Sequence, residues 1–138
     1  MKILFPADGS EYTLRAARYL VENIGALVQK PEILLLHIRP EFPFPGTSTK
    51  QAIAKFQQEE SEKALAPAEE ILRKGGLAFK STWMVGDPAK SINDAVKQND
   101  AQLIVLGSHG QSGIAGVLMG SFAQKVLAAC KTPVLIVR

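Results

Sequence analysis

The residues best suited to holding a ligand are concentrated in GSHGQSGIAGVLMGS, residues 107–121, which contains five of the chain's eleven glycines. We call this stretch the glycine segment. Glycine is favoured where φ is positive or where another group must approach the backbone closely. The segment also carries four apolar side chains that a slack linker would not need; these are Ile114, Val117, Leu118 and Met119. We therefore interpret the segment as shaped around a ligand.

The spacing within the glycine segment suits phosphate groups. Gly107 and Gly110 can form a tight turn whose outward-facing amides make an anion-binding nest. Further along, Gly120 and Ser121 open a predicted helix, and the unpaired N–H groups at a helix start attract phosphate. Two such sites could bracket a polyphosphate. A structural turn followed by a serine-capped helix is the alternative, and the pattern leaves it open.

The same residues offer little for catalysis. Phosphoryl transfer needs cations that stabilise charge and a group that places the nucleophile. The glycine segment contains no Lys or Arg, only His109, and Asp8 is the one acidic candidate nearby. Neither G-x-G-x-x-G after the first strand nor G-x-x-x-x-G-K-[ST] occurs. We expect binding with little or no catalysis. A slow ATP hydrolase or phosphotransferase is one alternative, and a nucleotide-independent dimeric interaction protein is another.

The elements that position these residues follow from hydrophobic periodicity. Apolar runs predict strands, and most are apolar on both faces, which is typical of parallel sheets covered on both sides by helices. The predicted strands are 2–7, 32–39, 77–85, 101–107 and 133–138, and the predicted helices are 14–28, 47–74, 88–99 and 120–130. Ser10 and Asp87 are predicted helix caps, and Pro67 should kink or split the second helix.

This alternation predicts an α/β fold, a single domain over residues 1–138 with a doubly wound five-stranded parallel sheet in the order 3-2-1-4-5 and helices on both faces. Ligands in such folds bind beyond the carboxyl ends of the strands where the strand order reverses, here between strands 1 and 4. Strand 1 ends near Pro6, Ala7 and Asp8, and strand 4 ends at Leu106, just before the glycine segment. Asp8 could instead cap the following turn.

The sequence resembles the universal stress protein family over essentially its whole length. The family motif G-x2-G-x9-G-[ST] is met by Gly107, Gly110, Gly120 and Ser121. Flanking stretches are similar too: ILFPADGS, LLHI, VGDPAKSI, AQLIVLGSHG and TPVLIVR. The resemblance implies an adenine nucleotide α-hydrolase-like fold and a role as a cytoplasmic regulatory or stress-response module.

The resemblance also implies an adenine nucleotide, usually ATP but also ADP or AMP, in the predicted crevice. Asp8 would then face the ribose and phosphates with any Mg²⁺, and Ile38 would offer backbone groups to the adenine. Gly107, His109 and Gly110 would line the ribose and phosphates. The main-chain amides of Gly120, Ser121 and Phe122 would hold the phosphates. For His109, a solvated position in the loop is an equally open interpretation. We interpret His37 as a core histidine whose ring is hydrogen-bonded within the protein.

Members of the family commonly dimerise through their last strands, which implies a homodimer built on Val134 and Ile136. Composition limits which other partners are expected. The net charge of +3 is scattered without a basic run, so nucleic acid is not an expected partner. No apolar stretch is long enough for a signal peptide or a membrane span. The one cysteine, Cys130, fits a reducing compartment, and we expect a cytoplasmic protein.

Overall fold

The structure, a computed structural model, describes residues 1–111, 113 and 116–138. Strands and helices alternate along the chain, as predicted. The elements are β1 (Lys2–Pro6), α1 (Glu11–Leu27), β2 (Glu32–Arg39), α2 (Lys50–Lys74), β3 (Phe79–Val85), α3 (Pro88–Asn99), β4 (Leu103–Gly107), α4 (Ser121–Ala129) and β5 (Val134–Val137).

The five strands form one parallel sheet in the order β3-β2-β1-β4-β5, which confirms the predicted fold class and topology. Successive residues of β1 alternate between the two faces of the sheet. Ile3 and Phe5 join one buried cluster with residues of α1 and α2, while Leu4 joins another with residues of α3 and α4. Because both faces are covered, the central strands are largely apolar.

Local sequence signals set most of the helix boundaries. The side chains of Ser10 and Asp87 accept hydrogen bonds from the first turns of α1 and α3, as predicted. Thr49 does the same for α2, which therefore begins at Lys50 rather than at residue 47. The prediction that Pro67 could split this helix is wrong, because α2 is continuous over Lys50–Lys74.

The strand ends agree with the predictions to within two residues. Pro6 is the last residue of β1, and the ladder to β2 continues past it, because the Ala7 amide donates to the Leu36 carbonyl at 2.8 Å. Cys130 is buried at the end of α4, and burial raises the pKa of its thiol, in keeping with a small apolar role. None of the helices within the described ranges is both long and apolar enough to cross a membrane.

Candidate functional site

A cavity of about 550 Å³ lies beyond the carboxyl ends of β1 and β4, where the strand order reverses. Its walls come from the β1–α1 turn, the end of β2 and the glycine segment. All of the residues singled out from the sequence as ligand contacts line it: Pro6, Ala7, Asp8, Ile38, Leu106, Gly107, His109, Gly110, Gly120, Ser121 and Phe122. A cavity of this size is in the range that holds small-molecule ligands.

Asp8 connects the two sides of this cavity. Its Oδ1 accepts hydrogen bonds from the Ser10 amide at 2.9 Å and from the Thr13 hydroxyl at 2.7 Å. Its Oδ2 accepts from the Gln111 amide at 3.2 Å, while the Gln111 side chain donates to the Asp8 carbonyl at 2.7 Å. Asp8 therefore does cap the turn after β1, and it also holds the glycine segment against that turn.

Gln111 was missed by the sequence interpretation. Its position directly after the second motif glycine was the one available signal, but its partner Asp8 lies 103 residues away in the chain. No local pattern connects two such residues. The structure therefore adds Gln111 to the cavity lining as the residue that joins the glycine segment to the β1–α1 turn.

The ring of His109 is engaged with the protein on both nitrogens. Nδ1 lies 2.9 Å from the Ser108 hydroxyl, and Nε2 lies 2.7 Å from the Val117 carbonyl. Since a carbonyl only accepts, Nε2 carries a proton and donates it. The ring also lies against Tyr12, with 4.7 Å between centroids. The side chain of His109 thus braces the glycine segment instead of standing in solvent.

His37 lies near the end of β2, where its Nδ1 is 2.7 Å from the Ala7 carbonyl, so Nδ1 donates to the residue that follows β1. This is the satisfied histidine that the sequence suggested, although its ring also borders the cavity. Among the described residues, no group of three or more His, Cys, Asp or Glu side chains could hold a metal ion. Any Mg²⁺ at Asp8 would therefore take its other ligands from water and from a bound phosphate.

Two motif glycines are required by close packing of the chain on itself. A methyl group on Gly107 would lie 2.8 Å from the Tyr12 carbonyl carbon, and one on Gly120 would lie 3.0 Å from the His109 Cα. Neither residue has a positive φ. The sequence attributed Gly107 to a tight turn, whereas the structure shows that it lets the start of α1 approach the end of β4.

Several amides of the glycine segment are bonded within the protein. The Gly120 amide donates to the Ser108 carbonyl at 2.7 Å, and the Gln111 amide donates to Asp8. The Gly120 amide, expected from the resemblance to hold phosphate, is therefore already paired.

The first-turn amides of α4 have no hydrogen-bond partner within the helix. The first hydrogen bond within the helix runs from the Gln124 amide to the Gly120 carbonyl at 3.1 Å, so the amides of Ser121, Phe122 and Ala123 have no intrahelical partner. Gly120 provides no side-chain cap. Ser121 and Phe122 border the cavity. Amides without an intrahelical partner and the positive end of the helix dipole thus meet at the cavity wall, as anion binding requires.

Among the described residues that line the cavity, the two histidines are the only basic side chains. Asp8 is the one Asp, Glu, Lys or Arg among the described lining residues. The undescribed positions of the glycine segment are Ser112, Ile114 and Ala115, so none of them is basic either. Of the apolar residues noted in the segment, Val117 and Met119 line the cavity, Leu118 is 79% exposed, and Ile114 lies outside the described residues.

The fold and the cavity define a doubly wound α/β protein with its ligand crevice at the topological switch point. The chain belongs to the universal stress protein family, whose model matches residues 1–138. Universal stress protein MJ0531 of Methanocaldococcus jannaschii is 30% identical over 99% of this chain and 81% of its own length. Universal stress protein YxiE of Bacillus subtilis is also 30% identical, over 99% and 98% of the two chains.

Solved structures agree on the fold. That of MJ0577, a universal stress protein of M. jannaschii, superposes with a TM-score of 0.79 at 26% identity, covering 99% of this chain and 94% of that one. Two more distant structures contain a nucleotide. An Arabidopsis thaliana family protein with AMP bound has a TM-score of 0.69 at 17% identity, covering 99% and 90%. An Archaeoglobus fulgidus protein in complex with dAMP has a TM-score of 0.67 at 23% identity, covering 100% and 98%.

Proposed function

We propose that this protein is an adenine nucleotide-binding regulatory module of the stress response with little or no catalytic activity. The observation that carries the proposal is the uncapped first turn of α4, whose Ser121 and Phe122 amides meet the cavity at the switch point. The AMP and dAMP bound by two structural neighbours support an adenine nucleotide as the ligand.

The two ends of the cavity suit different parts of such a ligand. At the end of β2, Ile38 gives an apolar wall and main-chain groups that could meet the edge of a flat base. At the other end, the amides of α4 meet the phosphate. Asp8 lies between the β1–α1 turn and the glycine segment, where its remaining acceptor capacity suits a ribose hydroxyl or a Mg²⁺ bound with the phosphates.

Titration calorimetry tests nucleotide binding. We expect saturable binding of AMP, ADP or ATP in the presence of Mg²⁺. Ile38→Trp, which narrows the cavity, should abolish it, whereas Leu118→Trp adds the same side chain at a position that is 79% exposed and should bind as the wild type does. No heat with any adenine nucleotide, together with none found by mass spectrometry in protein purified without additions, refutes the proposal.

The low catalytic activity follows from the side chains present. Efficient phosphoryl transfer relies on Lys, Arg or several metal ligands around the phosphates. Here Asp8 is the one carboxylate among the described lining residues, and both ring nitrogens of His109 are bonded within the protein. We expect ATP turnover far below about 1 s⁻¹, the lower end for kinases. Steady-state phosphate release above that rate, abolished by Asp8→Ala, would establish the hydrolase or phosphotransferase alternative instead.

A homodimer through β5 is part of the proposal. β5 pairs with β4 on one side and forms the edge of the described sheet on the other. Val134 and Ile136 are half-buried there, and a partner strand would cover an edge that otherwise invites aggregation. If the protein dimerises but binds no nucleotide, the interaction-protein alternative replaces the nucleotide-binding one. A cytoplasmic location is proposed from the single cysteine.

A further inference from the structure

Thr13 is a polar side chain buried at the wall of the cavity. It belongs to the first turn of α1, it lines the cavity, and it is 4% exposed. A hydroxyl that is removed from water in this way needs hydrogen-bond partners inside the protein. Asp8, two residues after the end of β1, supplies them with both its carboxylate and its backbone.

The direction of these hydrogen bonds follows from the chemistry of the two groups. Oδ1 of Asp8 lies 2.7 Å from the Thr13 hydroxyl, and since a carboxylate only accepts, the hydroxyl donates. The hydroxyl oxygen in turn accepts from the Asp8 amide at 3.4 Å. Thr13 therefore holds both the side chain and the main chain of Asp8.

The two carboxylate oxygens of Asp8 face different parts of the molecule. Oδ1 faces the start of α1, where the Ser10 amide also donates to it at 2.9 Å. Oδ2 faces the glycine segment: the Gln111 amide donates to it, and a methyl group on Gly110 would lie 2.9 Å from it. Because the carboxylate cannot turn without breaking its hydrogen bond to Thr13, that bond fixes which oxygen faces the glycine segment.

On an adenine nucleotide, the group that suits such an oxygen is a ribose hydroxyl. A carboxylate accepts hydrogen bonds only, so its partner must be a donor. The phosphates offer acceptor oxygens and negative charge, and the base with its amino group is proposed to lie at Ile38. The ribose hydroxyls are the remaining donors of the nucleotide.

We propose that Thr13 is a positioning residue of this site: by holding Oδ1 of Asp8, it presents Oδ2 to a ribose hydroxyl of the nucleotide. The proposal rests on the proposed adenine nucleotide function and adds to it a residue of α1 that acts through Asp8. A carboxylate that is already oriented loses no side-chain freedom when the ligand binds, and this increases the affinity.

Thr13→Val and Thr13→Ser form a matched pair of variants, because valine keeps the shape of threonine without its hydroxyl, whereas serine keeps the hydroxyl. The probes are AMP and 2′,3′-dideoxyadenosine monophosphate, which lacks both ribose hydroxyls. Both are titrated by calorimetry in EDTA, so that no divalent cation takes part. We expect Thr13→Ser to bind AMP within about twofold of the wild type and Thr13→Val to bind it at least about fivefold more weakly. The dideoxy nucleotide, which has no hydroxyl to meet Asp8, should bind the two variants within about twofold of each other.

The comparison of the two nucleotides separates positioning from a general effect on the fold. A loss in Thr13→Val that is equally large for both nucleotides indicates a purely structural role and overturns the proposal. Equal AMP affinity in Thr13→Val and Thr13→Ser also overturns it, as does a wild-type protein that binds both nucleotides equally tightly. Each of these outcomes leaves nucleotide binding standing, whereas a wild type that binds no adenine nucleotide overturns both. Urea denaturation checks that each variant is folded, and Thr13→Ala, which removes the same hydroxyl, replaces Thr13→Val if the valine variant is not.

Discussion

The amide of Ser121 gives the sharpest test of how this protein would hold phosphate. Ser121 is the first residue of α4, and Gly120 before it has φ −68° and ψ 157°. Proline is well tolerated at the first position of a helix, and the residue before a proline prefers this extended geometry. Ser121→Pro therefore removes one N–H from the cavity wall while leaving the helix able to form.

The matched control is Ser121→Ala, which removes the hydroxyl and keeps the amide. A hydrogen bond to a charged group contributes about 1.5–3 kcal/mol. The proline variant should therefore bind AMP about 10–150-fold more weakly than the alanine variant. The first helical bond, from Gln124 to Gly120, does not involve the lost N–H. Both variants should thus stay within about 0.5 kcal/mol of the wild-type free energy of unfolding.

Calorimetry with AMP and urea denaturation, run on the wild type and both variants, supply the two measurements. Equal AMP affinity in Ser121→Pro and Ser121→Ala, with both proteins folded, would show that the start of α4 does not contact the phosphate. In that case the uncapped helix start would be a structural feature, and the proposed function would lose the observation on which it depends.

Two further predictions concern packing and assembly. Gly107→Ala forces a methyl group to within 2.8 Å of the Tyr12 backbone and should lower the free energy of unfolding by about 1–3 kcal/mol in urea denaturation. Gly46→Ala, where a methyl group meets nothing within 4 Å, should leave it unchanged, and an equal loss in both would contradict the packing explanation. Ile136→Lys on the β5 edge should convert the proposed dimer to a monomer in light scattering after size exclusion, whereas a dimer that persists in this variant uses another surface.

Local patterns in the sequence were sufficient to predict the architecture. The run 32–39, apolar except for Glu32, His37 and Arg39, predicted a parallel strand because burial on both faces of a sheet disfavours polar residues. Ser10 and Asp87 predicted helix starts because a short oxygen-bearing side chain satisfies amides within three residues of itself. Alternation of strands and helices then left few topologies, and the order of strands located the cavity between β1 and β4.

What the sequence could not determine was which groups in that cavity are free. Gly120 was expected to offer its amide, but that amide is bonded to Ser108, whereas the amides of the next two residues have no partner within α4. Likewise, the ring of His109 is held by Ser108 and Val117, and Asp8 by a residue 103 positions away. Periodicity and propensity describe what a residue does with its neighbours in the chain. The pairing of a donor with an acceptor depends on which segments folding brings together, and this was decided by the tertiary structure alone.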